Sequence, residues 1–247
     1  LALKLSGGGT FANTNNLTID KAGSKLSISD STRVSRVLVS ASSTGNGITI
    51  SDSADNATGN LVDNLQLSSS LSVTSDKAWS VGSMTADSTL TLSSDKDLSV
   101  GSLSLTGNNT EMSLGASDIT VSVTNPVSSG STQIIRNGGG SFKFSGGLTL
   151  ASSSELIGQG QQISGNIALS GGKLTAEQDT AFPGNFSVSS GSTSTIHIAS
   201  SKALTYGGQA VDIGASKLKI QGGGSFVNTE TTPIKLDNAS SRLELEN

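Results

Sequence analysis

Short apolar-x-apolar triplets recur from one end of the chain to the other. They include Leu17–Ile19, Leu26–Ile28, Val37–Val39, Ile48–Ile50, Leu71–Val73, Leu90–Leu92, Leu148–Leu150, Ile196–Ile198, Leu218–Ile220 and Leu243–Leu245. Between them lie short runs of Gly, Ser, Asn, Asp and Thr. Alternation at this spacing is the pattern of a strand with one face buried, and the intervening residues are those that turn a chain. No stretch of helical length shows apolar residues at i, i+3, i+4 and i+7, so the pattern predicts essentially no helix.

The triplets are organised into repeats. Gly7–Ile28 (GGGTFANTNNLTIDKAGSKLSI), Gly138–Ile157 (GGGSFKFSGGLTLASSSELI) and Gly222–Leu245 (GGGSFVNTETTPIKLDNASSRLEL) share three glycines, a hydroxyl residue, a phenylalanine and two later apolar segments. A second repeat aligns Leu71–Met84 with Leu90–Leu103, setting Trp79 against Leu98 and Met84 against Leu103. Repeats of roughly 20–24 residues built from strands and turns are the mark of a solenoid. The expected fold is all-β: a right-handed parallel β-helix (β-solenoid) of about 11 coils of roughly 22 residues. It forms one domain over residues 1–247. Two stretches break the rhythm, and both are expected to project as loops: 51–64 and 176–185, the latter holding Pro183.

Composition narrows the core. Hydrophobic residues make up 33% and aromatics 3% of the 247 residues, so the interior must be thin and aliphatic. The formal net charge is −4 with no basic run, which gives no footprint for nucleic acid. No apolar run approaches the length of a transmembrane helix. The chain opens on Leu1 and closes on a strand-like LELEN, which reads as a processed form or a piece of a longer protein.

Candidate chemistry is sparse. His197 is the one histidine and Cys is absent, which leaves no His/Cys metal cluster. His197 alternates with Ile196 and Ile198 and is expected to face outward. The carboxylate pairs Asp52/Asp55, Asp95/Asp97 and Glu244/Glu246 are read as solvated charges rather than a hydrolytic or calcium site. Trp79, matched to Leu98, is expected in the core. Thr-x-Thr occurs only at Thr89/Thr91 and Thr193/Thr195, too rarely for an ice-binding face. No catalytic, cofactor-binding or metal residues are assigned, and no enzyme activity is expected.

The GGGSFKFSGGLTLASSSELI pattern resembles the Gly/Ser/Thr/Asn-rich repeats in passenger regions of bacterial autotransporters and related large surface adhesins. The resemblance covers nearly the whole chain as a style of sequence. It implies a secreted β-helix displayed at the bacterial cell surface, outside the outer membrane. The expected function is therefore a structural or adhesive module, a rigid stalk or passenger segment. Its partners would be host or neighbouring-cell surface molecules, or itself. The alternative expectation is a self-assembling filament or surface-layer subunit, stacking end to end through the uncapped strands Leu1–Leu5 and Arg242–Glu246.

Overall fold

The computed structural model describes residues 2–40, 44–51, 59–115, 118–130, 132–189, 191–229 and 234–247. It is a parallel β-solenoid, with no helix among the described residues. Twelve strands, from Ala2–Leu5 to Arg242–Glu246, stack in sequence order into one sheet. We call this row one. Register partners along it lie 18 to 25 residues apart, as in Glu155↔Lys173 and Asn46↔Leu71. Strands at about 4.8 Å spacing make the rod about 50 Å long.

The rest of each coil runs through two further rows. In the middle coils they are the two legs of one strand, such as Trp79–Ala86 and Leu98–Leu105. Inward and outward residues alternate along each leg, and the alternation skips a beat at Gly82–Ser83 and Gly101–Ser102, where the strand bends. Towards the C-terminus the legs separate. Row two continues as Thr180–Phe182, Ala203–Tyr206 and Ser225–Asn228, and row three ends on Val211–Asp212 and Ile234–Lys235.

Parallel stacking places like residues over like. Leu98 pairs with Trp79 and Leu103 with Met84, as the repeat predicts. The inward columns are aliphatic through most of the rod, and Trp79 is buried. Phe142 and Phe144 stack at 5.3 Å, while Phe182, Phe186, Tyr206 and Phe226 form a second aromatic cluster near the C-terminal end. Residues just before row-one strands are often small, buried and polar: Ser24, Thr110, Ser154, Ser216 and Ser241. Their hydroxyls satisfy turn carbonyls, as Ser154 Oγ does for Ala151 O at 2.6 Å and Ser216 Oγ for Ser189 O at 2.5 Å. A chain that changes direction inside a buried corner needs such partners.

The second of the two expected loops is corrected by the structure. The stretch 176–185 is part of the coil: Thr180–Phe182 is a row-two strand paired with Leu204–Tyr206, and Phe182 is buried. In 51–64, residues 52–58 lie outside the described residues, while Leu61 and Val62 are buried and Val62 opens the strand Val62–Leu67.

Candidate functional surfaces

Three surfaces stand out: the outward face of row one, the bend between rows two and three, and the two ends of the rod.

The outward face of row one carries Lys4 and Lys25 in its first two strands, is uncharged through Asn46–Ile50, Leu71–Ser75 and Leu90–Ser94, and is charged again from Glu111 onward. Arg136 pairs with Glu111 through Nε and with Glu177 through Nη1, both at 2.8 Å. Gln159 Nε2 also donates to Glu177, at 2.7 Å. Lys173 pairs with Glu155 at 3.0 Å, and Thr175 donates its hydroxyl to the same carboxylate. Nearer the C-terminus Lys217 pairs with Glu244 at 2.7 Å and Lys219 with Glu246 at 2.8 Å. Partial burial works against the Arg136 charge, but its bonds to Glu111 and Glu177 outweigh burial and hold its pKa above the ordinary value. The hydrogen bond to Glu246 likewise raises Lys219. These are cross-strand partners placed by the solenoid step, so acids and bases neutralise one another along the rod.

His197 lies on this face, between Thr175 and Gln221 in register. It is half-buried, and its Nδ1 has no hydrogen-bond partner. No second base or nucleophile joins it into a triad geometry among the described residues. Thr195 sits between Lys173 and Lys219, so threonines do not continue from coil to coil.

Three of the turn aspartates are spent on the backbone of a neighbouring coil. Asp95 Oδ1 accepts from Ser75 N at 2.8 Å, Asp97 Oδ1 from Thr120 N at 2.7 Å and Asp179 Oδ1 from Ala203 N at 2.8 Å. Asp95 and Asp97 thus bond in opposite directions along the rod and do not converge. Asp52 and Asp55 lie outside the described residues. Among the described residues no group of three or more His, Cys, Asp or Glu side chains is placed to hold a metal ion.

The bend between rows two and three is lined by glycine for a steric reason. A Cβ on Gly101 would overlap the Gly82 carbonyl oxygen, and one on Gly184 would overlap the Gly165 carbonyl oxygen. Beside the glycines runs a ladder of small polar side chains. Ser83 Oγ donates to Asn64 Oδ1 at 2.7 Å, Asn125 Nδ2 to Ser102 Oγ at 2.7 Å and Asn185 Nδ2 to Asn166 Oδ1 at 3.3 Å. A cleft of about 420 Å³ follows the bend past Thr149, Asn166, Ser187 and Gln209, with Asp212 its one charged residue. Asn185 ties its wall together, donating to Asn166 Oδ1 and accepting from Gln209 N at 2.7 Å, which leaves a polar trough with a single acidic group.

The ends of the rod are apolar. Among the described residues, Leu3, Phe11, Val227, Leu236 and Leu245 are the exposed large hydrophobic residues, and all lie in the first or last coil. The C-terminal end holds an open cavity of about 620 Å³ lined by Ile220, Phe226, Ile234, Leu243 and Leu245 among others. The sequence pattern located the terminal strands. The cavity was not legible in it, because it depends on where row one stops relative to rows two and three.

Compared with models of protein families, with curated proteins and with solved structures, the chain matches none of them.

Proposed function

We propose that this protein is an extracellular structural and adhesive module, a rigid β-helical segment displayed at a bacterial cell surface. The observation that carries this reading is the unbroken twelve-strand row one. It makes a rod whose interior is packed along its length and whose exterior is mostly uncharged Ser, Thr, Asn and Gly. Asp95, Asp97, Asp179, Glu111 and Glu155 support the same reading, since they serve inter-coil hydrogen bonds and ion pairs. Adhesion by such a surface would be spread over many weak polar contacts, and its repeat-rich style resembles autotransporter passenger regions. The test is to display the chain on bacteria that do not aggregate, then measure cell–cell aggregation and attachment to host cells. The reading expects both to rise above those of cells displaying an unrelated rod of similar length. Equal attachment would overturn it.

A second reading, a self-assembling subunit, is favoured by one observation: among the described residues, the exposed large apolar side chains lie in the first and last coils. Open strand edges of this kind accept further strands.

A further inference from the structure

The cleft along the bend is built from two rows of side chains that repeat once per coil. The first row is of amides. Asn166 and Asn185 stand immediately before the register partners Ile167 and Phe186, and Gln209 follows one coil later. The second row lies on the outward face of row three, where Thr149, Ala168 and Ser187 are successive register partners. Asp212 lies at its far end. Ile167 and Phe186 are buried beneath, so the core fixes the floor of the cleft.

Part of this polar lining is used and part is spare. Asn185 donates to Asn166 Oδ1 at 3.3 Å and accepts from Gln209 N at 2.7 Å, and Asp212 Oδ1 accepts from Gly214 N at 2.8 Å. The side-chain amide of Gln209 and the hydroxyls of Thr149 and Ser187 have no partner among the described residues. Amides and hydroxyls both donate and accept, so such a set matches a ligand rich in hydroxyl groups. Charge points the same way. Asp212 is the one charged residue of the cleft, and Lys235 is its register partner on the next coil, so an anion finds no net attraction here. An extended peptide is the less suited occupant. Peptides add to sheets through unpaired backbone groups at an edge, and along the side of this rod the backbone is paired between coils. Asn125 N donates to Gly101 O at 2.9 Å, and Ile167 N to Asn185 O and Ser189 N to Leu169 O, both at 2.8 Å. Spacing favours a glycan as well. Coils follow one another at about 4.8 Å. Each sugar of an extended β-linked pyranose chain advances by nearly the same distance, so a chain laid along the bend offers one sugar to each amide.

We propose that this cleft binds an uncharged, extended β-linked glycan lying along the rod axis between Pro126 and Asp212. The spare groups of Gln209, Ser187 and Thr149 bond its hydroxyls. Ala168, the small residue between Thr149 and Ser187, leaves room for a sugar ring, and Pro126 gives the chain an exposed apolar rest. No exposed aromatic ring lines the cleft, so binding relies on hydrogen bonds repeated over successive sugars. The proposal deepens the adhesive reading by naming its ligand class.

The test titrates the full chain with cellohexaose, mannohexaose and chitohexaose, followed by calorimetry and by amide-resolved NMR. Maltohexaose, whose linkage curls the chain away from a straight groove, and a heparin hexasaccharide are the contrasts. The proposal expects at least one extended sugar to bind with an affinity indifferent to salt. It should shift the resonances of Ala168 and of the Gln209 side-chain amide and leave those of Thr74, exposed on row one, unmoved. Ala168→Ile puts bulk in the middle of the cleft and should abolish binding, whereas Thr74→Ile should not. Gln209→Ala/Ser187→Ala should weaken binding about tenfold, as expected for the loss of two hydrogen bonds. Unfolding midpoints show whether each variant keeps the rod, and the resonance shifts of the natural chain locate the site even where Ala168→Ile does not fold. Binding untouched by Ala168→Ile in an intact rod, or shifts confined to other rows, would overturn the site. Equal binding of maltohexaose, a preference for heparin that fades with salt, or a neutral extended peptide that shifts these resonances when no sugar does, would overturn the ligand. If none of the sugars binds, the proposal fails and the adhesive reading stands or falls by its own cell-attachment test. Sugar binding at the cleft without raised attachment would instead sink the adhesive reading and leave the proposal standing.

Discussion

At the scale of the residue, the rod is held by side chains that fit one position. Gly101 has an ordinary backbone conformation but no room for a methyl group against the Gly82 carbonyl. Gly101→Ala is therefore expected to destabilise the fold by about 1–3 kcal/mol, the usual cost of overpacking, measured by urea unfolding. Trp79 is the one tryptophan and is buried, with Nε1 donating to Ser94 Oγ at 3.1 Å. Its fluorescence should be shielded from aqueous quenchers until the rod unfolds, and Trp79→Ala should cost about 3–5 kcal/mol. Tyr206 is buried in the aromatic cluster and donates to Gln209 O at 2.5 Å. Burial raises its pKa above the ordinary 10.0. The unfolded phenol ionises first, so Tyr206 contributes stability that is complete below about pH 10 and is lost as the pH rises through its folded value. Urea midpoints measured across this alkaline range should fall more steeply for the natural protein than for Tyr206→Phe.

At the scale of the element, row one is a ladder in which charge is balanced between neighbours. Arg136 is the most connected member, bridging Glu111 and Glu177. These groups are partly solvated, so Arg136→Ala should cost only about 1 kcal/mol, and the difference from the natural protein should shrink as salt is raised. The strand pattern was legible where alternation is strong: Leu98 over Trp79 and Leu103 over Met84 follow from the repeat alone. It was illegible at Thr180–Phe182, where a three-residue strand is followed at once by Pro183 and Gly184 and so looks like a turn. There the strand is specified by its neighbour, Leu204–Tyr206, and by the burial of Phe182 in the aromatic cluster. The turn positions of Asp95 and Asp97 were legible, but the work of the turn aspartates was not. Asp97 and Asp179 bond the backbone of residues 23 and 24 positions further on, a contact that exists only once the coils stack.

At the scale of the whole molecule, stacking gives a rod whose middle is satisfied and whose ends are not. Interior coils bury their inward columns from both sides, and the first and last do so from one. Two consequences belong to this scale. The end coils should open before the middle, so amide hydrogen exchange should be fastest in Ala2–Leu5 and Arg242–Glu246 and slowest around Leu98–Leu105 and Phe142–Phe144. The rod should also present one cross-section along its length, which is the property a spacer or adhesive stalk needs. Small-angle X-ray scattering of the natural chain tests this most directly. The account predicts a rod form with constant cross-section and, at the lowest concentrations, a length of about 50 Å, set by twelve strands at about 4.8 Å. Any growth with concentration should lengthen the rod and leave its cross-section unchanged. A compact near-spherical profile, or growth that thickens the particle, would contradict it.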